Sequence, residues 1–134
     1  MPPCNVLIVE NEEDLREEVA EFLEENDYAV HSAADGVEAL EFLKALPVDE
    51  LPDLVLLDLW MPRMNGRELR AELKKTPELS QIPVVAFTAD RASEDVLSIG
   101  ADDYIAKPPD LDALLATVEY FCRRRRGGSA SVSG

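Results

Sequence analysis

Positive charge is scarce in this chain of 134 residues: 13 lysines and arginines face 28 aspartates and glutamates, a formal net charge of -15. That balance repels nucleic acid and anionic membrane unless basic groups are concentrated locally. The one concentration, Arg123 to Arg126, lies where it complements a helix C-terminus. No apolar segment reaches membrane-spanning length. The start, "MPPCNVLIVENEE", lacks the basic opening and cleavage pattern of a signal peptide. Cysteine is nearly absent, and Cys4 and Cys122 have neither metal-ligand spacing nor the density of a disulfide scaffold, so a reducing cytoplasm is the expected setting. The single histidine, His31, is assigned no role.

What is present is alternation. Strand-length apolar runs occur at 5–9, 28–33, 53–59, 83–89 and 103–106, separated by stretches with helical periodicity. In the first of these, Leu15, Val19, Phe22 and Leu23 share one face between charged positions, the pattern of a helix packed on one side. The period recurs with Val37, Leu40 and Leu43, with Leu69 and Leu73, and with Leu111, Leu114, Leu115 and Val118. Such alternation predicts an α/β fold, a doubly wound five-stranded parallel sheet with right-handed crossovers and helices on both faces. Sheets of this kind bind ligands outside the carboxyl ends of their strands. Gathered there are Glu10 and Asn11 after the first strand, Asp58 at the third, Thr88 at the fourth and Lys107 after the fifth.

Four local patterns in that order, "VENEED", "DLWMPRMNG", "FTA" and "GADDYIAKP", resemble the receiver domains of two-component response regulators. The resemblance covers residues 4–122 and leaves 123–134 as a basic helix end followed by a flexible tail or linker. It implies a flavodoxin-like strand order of 2-1-3-4-5. It also implies that Asp58 accepts a phosphoryl group from a histidine kinase or phosphotransfer protein in the cytoplasm, and that the domain catalyses only its own phosphorylation and dephosphorylation. Mg2+ would be held by Glu10, Asn11, Asp58 and the backbone carbonyl of Trp60, Lys107 would supply a point charge, and Thr88 and Tyr104 would switch a partner-binding surface. The Lys107–Pro108 peptide bond is expected to be cis. Trp60 and Asp90, two residues beyond the acceptor and the threonine, would modulate the lifetime of the phosphorylated form, the indole as a cover and Asp90 by orienting or repelling water.

The chain departs from the family pattern where receivers generally carry a second acid: Asn11 brings no charge, and either ligates the metal or caps the first helix. The stretch from Thr88 to Gly100 is short, so the helix between strands 4 and 5 is expected to be abbreviated, and Pro109 stands where an aromatic is common. The alternative function is a pseudo-receiver that signals without phosphorylation, with Asn11 as its support. A haloacid dehalogenase-type phosphatase needs a second acid where Trp60 stands, and a flavin carrier needs a phosphate-cradling loop where "ENEED" would repel one.

Overall fold

The computed structural model describes residues 3–61, 63–89 and 100–125. Its elements run in the order β1 (Asn5–Val9), α1 (Glu13–Glu25), β2 (Ala29–Ala33), α2 (Gly36–Ala45), β3 (Leu54–Asp58), α3 (Gly66–Lys74), a one-turn α4 (Pro77–Ser80), β4 (Val84–Thr88), β5 (Asp103–Ala106) and α5 (Leu111–Arg125). The five strands are all parallel in the order β2-β1-β3-β4-β5, as expected. The one-turn α4 carries no apolar period that sequence could reveal, but Pro at its first position favours it. The abbreviated helix expected between β4 and β5 lies outside the described residues.

Every residue of β3 and β4 is buried, and so are the last four of β1. The alternation of strand side chains sends Val6, Ile8, Leu54, Leu56, Val85 and Phe87 to one face, where Val19 and Leu23 of α1 and Leu114 and Val118 of α5 cover them. Leu7, Val9, Val55 and Leu57 point the other way, onto Ala39 and Leu43 of α2 and Leu69 and Leu73 of α3. Helix starts are secured locally. Asp35 caps α2 by accepting from the Glu38 N–H, and Asn65 with Glu68 forms a reciprocal capping box on α3.

The scarcity of cysteine points to a reducing cytoplasm, but Cys4, just before β1, is joined by a disulfide to Cys122 near the end of α5, with Cα atoms 6.1 Å apart, so the cysteines lend that setting no support. The sequence separation of 118 residues hides the pairing, because it depends on α5 folding back across β1. No helix among the described residues is long and apolar enough to cross a membrane.

Candidate functional site

The carboxyl edge of the sheet collects the chemistry. Asp58 is the last residue of β3 and only 3% exposed, because the strand that carries it is buried to its end. Its Oδ1 accepts the Trp60 N–H at 3.1 Å and its Oδ2 lies 3.5 Å from Lys107 Nζ. Burial pushes the Asp58 carboxyl up to about 6; the Trp60 amide opposes this, the Glu10 charge adds to it, and Lys107 pulls it back. Glu10, fully buried one residue past β1, accepts the Glu12 N–H on Oε2 at 2.9 Å. Its Oε1 lies 2.7 Å from Lys107 Nζ, an ion pair whose direction misses a hydrogen bond, and has no other partner among the described residues.

Lys107 reaches the site from the residue after β5. Its N–H is bonded to the Thr88 carbonyl at 2.9 Å, and its ammonium lies 5.2 Å from the centre of the Phe87 ring. The Lys107–Pro108 bond is cis, as the resemblance implies. Thr88 ends β4 and is completely buried, whereas Tyr104 on β5 is 36% exposed. Trp60 is 56% exposed. Asp90 lies outside the described residues. The N-cap position of α1 falls on Glu12, so Asn11 stands exposed in the turn before it and does not cap the helix.

This donor set fits a hard divalent cation. Glu10 and Asp58 bring two carboxylates together, one with a buried oxygen that lacks a hydrogen bond, and Mg2+ takes oxygen ligands while keeping several waters. Among the described residues no group of three or more His, Cys, Asp or Glu side chains is placed to hold a metal. Neutral oxygens would complete such a shell, and the Asn11 amide and the Trp60 carbonyl are of that kind.

A family model for the response regulator receiver domain matches residues 6–119. The chain belongs to the response regulator receiver family. This receiver is 39% identical over 125 residues to the response regulator MprA of Mycobacterium sp. (strain KMS), a match covering 91% of the chain and 52% of that protein. The chain thus spans about half the length of the curated relatives it matches. Among solved structures it is similar to the signal receiver domain of a signal transduction histidine kinase from Syntrophus aciditrophicus, with a TM-score of 0.79 and 35% identity over 89% of each chain. It is also similar to the Mn(2+)-bound form of the response regulator Rcp1, with a TM-score of 0.71 and 32% identity over 90% of this chain and 93% of that one.

Three features of the receiver site escape a reading of the sequence. Arg16 of α1 donates to the Glu10 carbonyl at 2.8 Å, holding the acidic turn from behind. Gly66 leaves room for the β3 end: a Cβ there would stand 2.7 Å from the Asp58 carbonyl oxygen. Asp35 and Arg63 form a two-pronged ion pair between the loops that follow β2 and β3. Only the glycine left a trace, as the last letter of "MPRMNG".

Proposed function

We propose that this receiver works by phosphorylation at Asp58 in a cytoplasmic two-component system, with a histidine kinase or phosphotransfer protein as donor. The observation that carries the reading is the buried Asp58 carboxylate at a strand end, with Lys107 Nζ 3.5 Å away and Glu10 beside it. An Asp58 carboxylate oxygen attacks phosphorus in line while the bond from phosphorus to the donor imidazole nitrogen breaks. The bonding electrons leave with the imidazole, and the product is an acyl phosphate on Asp58.

A divalent cation held by Glu10, Asp58, Asn11 and the Trp60 carbonyl would neutralise charge on the transferring oxygens. Mg2+ is the proposed ion, and the Mn(2+)-bound form of the similar regulator Rcp1 supports the choice of a divalent cation. Lys107 pairs with one phosphoryl oxygen and keeps Asp58 ionised for attack. Thr88 donates its hydroxyl to another oxygen, and the half-exposed Tyr104 moves inward behind it, reshaping the surface beside β4 and β5. Trp60 and Asp90 set how fast water returns to the phosphorus. The domain turns over no external substrate beyond its own phosphorylation and dephosphorylation.

Residues 4–122 are proposed as the receiver unit, and by composition 123–134 read as a basic helix end and a tail or linker. The matched relatives are longer, so the output belongs to whatever the receiver is joined to or contacts. The pseudo-receiver alternative is favoured by the neutral, exposed Asn11. Incubation with acetyl phosphate and Mg2+ tests between them: the intact protein gains one phosphoryl group, and Asp58→Asn gains none. Equal labelling of that variant would remove Asp58 as acceptor, and no labelling of wild type, with no response to beryllofluoride and Mg2+, would establish the pseudo-receiver.

A further inference from the structure

The loop from Leu59 to Asn65 must hold still if Asp58 is to react, because it supplies the Trp60 N–H on Asp58 Oδ1. Its ends are closed by backbone: the Gly66 N–H donates to the Leu59 carbonyl at 3.1 Å. Between those ends Met61 and Met64 pack against the core, and Arg63 reaches outward. At Arg63 the chain has φ 64°, the left-handed region that residues with a Cβ enter only at a cost. Such a conformation persists where the surroundings over-determine it.

The surroundings here are the turn between β2 and α2. Arg63 Nε donates to Asp35 Oδ2 at 2.7 Å and its Nη2 to Oδ1 at 3.1 Å, the planar fork closing on both carboxylate oxygens. Asp35 is itself held, since the same carboxylate caps α2 by accepting the Glu38 N–H at 2.9 Å. One residue on, the Gly36 N–H donates to the Met64 carbonyl at 3.1 Å, and a Cβ on Gly36 would come within 2.5 Å of that oxygen. Only glycine allows the two loops to approach this closely. The Arg63 side chain is 59% exposed, so the pair adds little to global stability. Its consequence is geometric. The guanidinium beside Asp35 holds its carboxyl below the usual carboxylate range, so the pair stays ionic further into acid than a free carboxylate would.

We propose that Asp35 and Arg63 are positioning residues, a latch between the β2–α2 turn and the β3–α3 loop that fixes the Trp60 peptide against Asp58 and so readies the site for metal and phosphoryl group. The part concerning metal and phosphoryl transfer rests on the phosphoacceptor reading, whereas the part concerning the loop does not. The latch couples the start of α2 to the reacting strand end, two segments with no sequence neighbours in common.

The test measures amide hydrogen exchange of the Trp60 and Met64 N–H groups in the intact, metal-free chain, alongside the melting temperature. Arg63→Ala removes the fork, and Asp35→Asn removes the charge while keeping a side chain that caps α2 well. Each is expected to speed Trp60 exchange about tenfold with Tm within about 2 °C of wild type. The double variant should be no faster than either single one, and Arg63→Lys, which keeps the charge without the fork, should lie between. A Mg2+ titration followed by Trp60 fluorescence should show about five-fold weaker binding in the same variants. Unchanged Trp60 exchange in Arg63→Ala, or defects that simply add in the double variant, would overturn the latch. A wild-type protein that takes no phosphoryl group would sink the Asp58 reading instead, and the exchange data would still decide the latch.

Discussion

The two ends of the sheet are built on opposite principles. At the amino end the loose groups are tied. Asp53 accepts the Asn5 N–H on Oδ2 at 2.9 Å and returns its own N–H to the Asn5 carbonyl at 2.8 Å. Asp102 treats Val84 in the same reciprocal way, at 2.9 and 2.8 Å. The Cys4–Cys122 bond then fastens α5 to the start of β1. At the carboxyl end two carboxylates are buried beside one ammonium, and Glu10 Oε1 lacks a hydrogen bond. Like charges buried at one strand edge disfavour the folded state, and they persist because stability is supplied elsewhere. One pole holds the domain together, and the other is left electrostatically incomplete, as the proposed binding of a cation and a phosphoryl group would require.

Cutting the staple gives the largest expected effect. A cross-link closing a loop of this length stabilises by about 5 kcal/mol in the chain-entropy account. Reduction, or Cys4→Ser with Cys122→Ser, should therefore lower the melting temperature by about 17 °C, and reductant should not change the double variant further. Calorimetry with and without reductant reads this directly. The comparison also demands that the reduced protein, held well below its new transition, still be labelled by acetyl phosphate at the wild-type rate. A labelling rate that falls with the disulfide would show that the two poles are not independent.

How much of this was legible beforehand follows the range of the interactions. Both faces of the core could be read because strand and helix periods are local, and Glu10, Asp58, Thr88 and Lys107 could be placed because each ends or follows its own apolar run. The disulfide and the Asp35–Arg63 pair could not, since each joins segments that only tertiary folding brings together. Asn11 shows the intermediate case. Its residue type allowed both a cap and a ligand, and the helix starting one residue later than a cap there would require decided against the cap.

Relieving the other pole should stabilise the fold by a smaller amount. The folded pKa of Asp58, about 6, lies above its value in an unfolded chain, so the folded state prefers the protonated acid. The cost of the ionised form is absent below about pH 4, grows as pH rises through the folded value, and is complete above it. A displacement of that size is worth at most about 3 kcal/mol, and relaxation around the buried charge reduces it to about 1 kcal/mol. Metal-free Asp58→Asn should accordingly melt about 4 °C above wild type at pH 7.5, with the gap closing toward pH 4. A gap that stays constant with pH would mean the carboxylate is not strained by its burial. Added Mg2+ should raise the wild-type transition and leave the variant nearly unmoved.

The smallest effect tests how incomplete the charged pole is. Asn11 stands exposed beside the acidic turn, so a charge introduced there acts through water-like surroundings, where a unit pair at 4 Å is worth about 1 kcal/mol. Mg2+ doubles the attraction, and stripping a water from the ion returns part of it, so Asn11→Asp should tighten Mg2+ about five-fold. Trp60, the chain's one tryptophan and two residues from Asp58, supplies the fluorescence signal. The gain should shrink in high salt, as screening of an exposed charge requires. Affinity unchanged by Asn11→Asp would show that the side chain at this position does not face the metal, and that the oxygens completing the shell come from water and backbone alone.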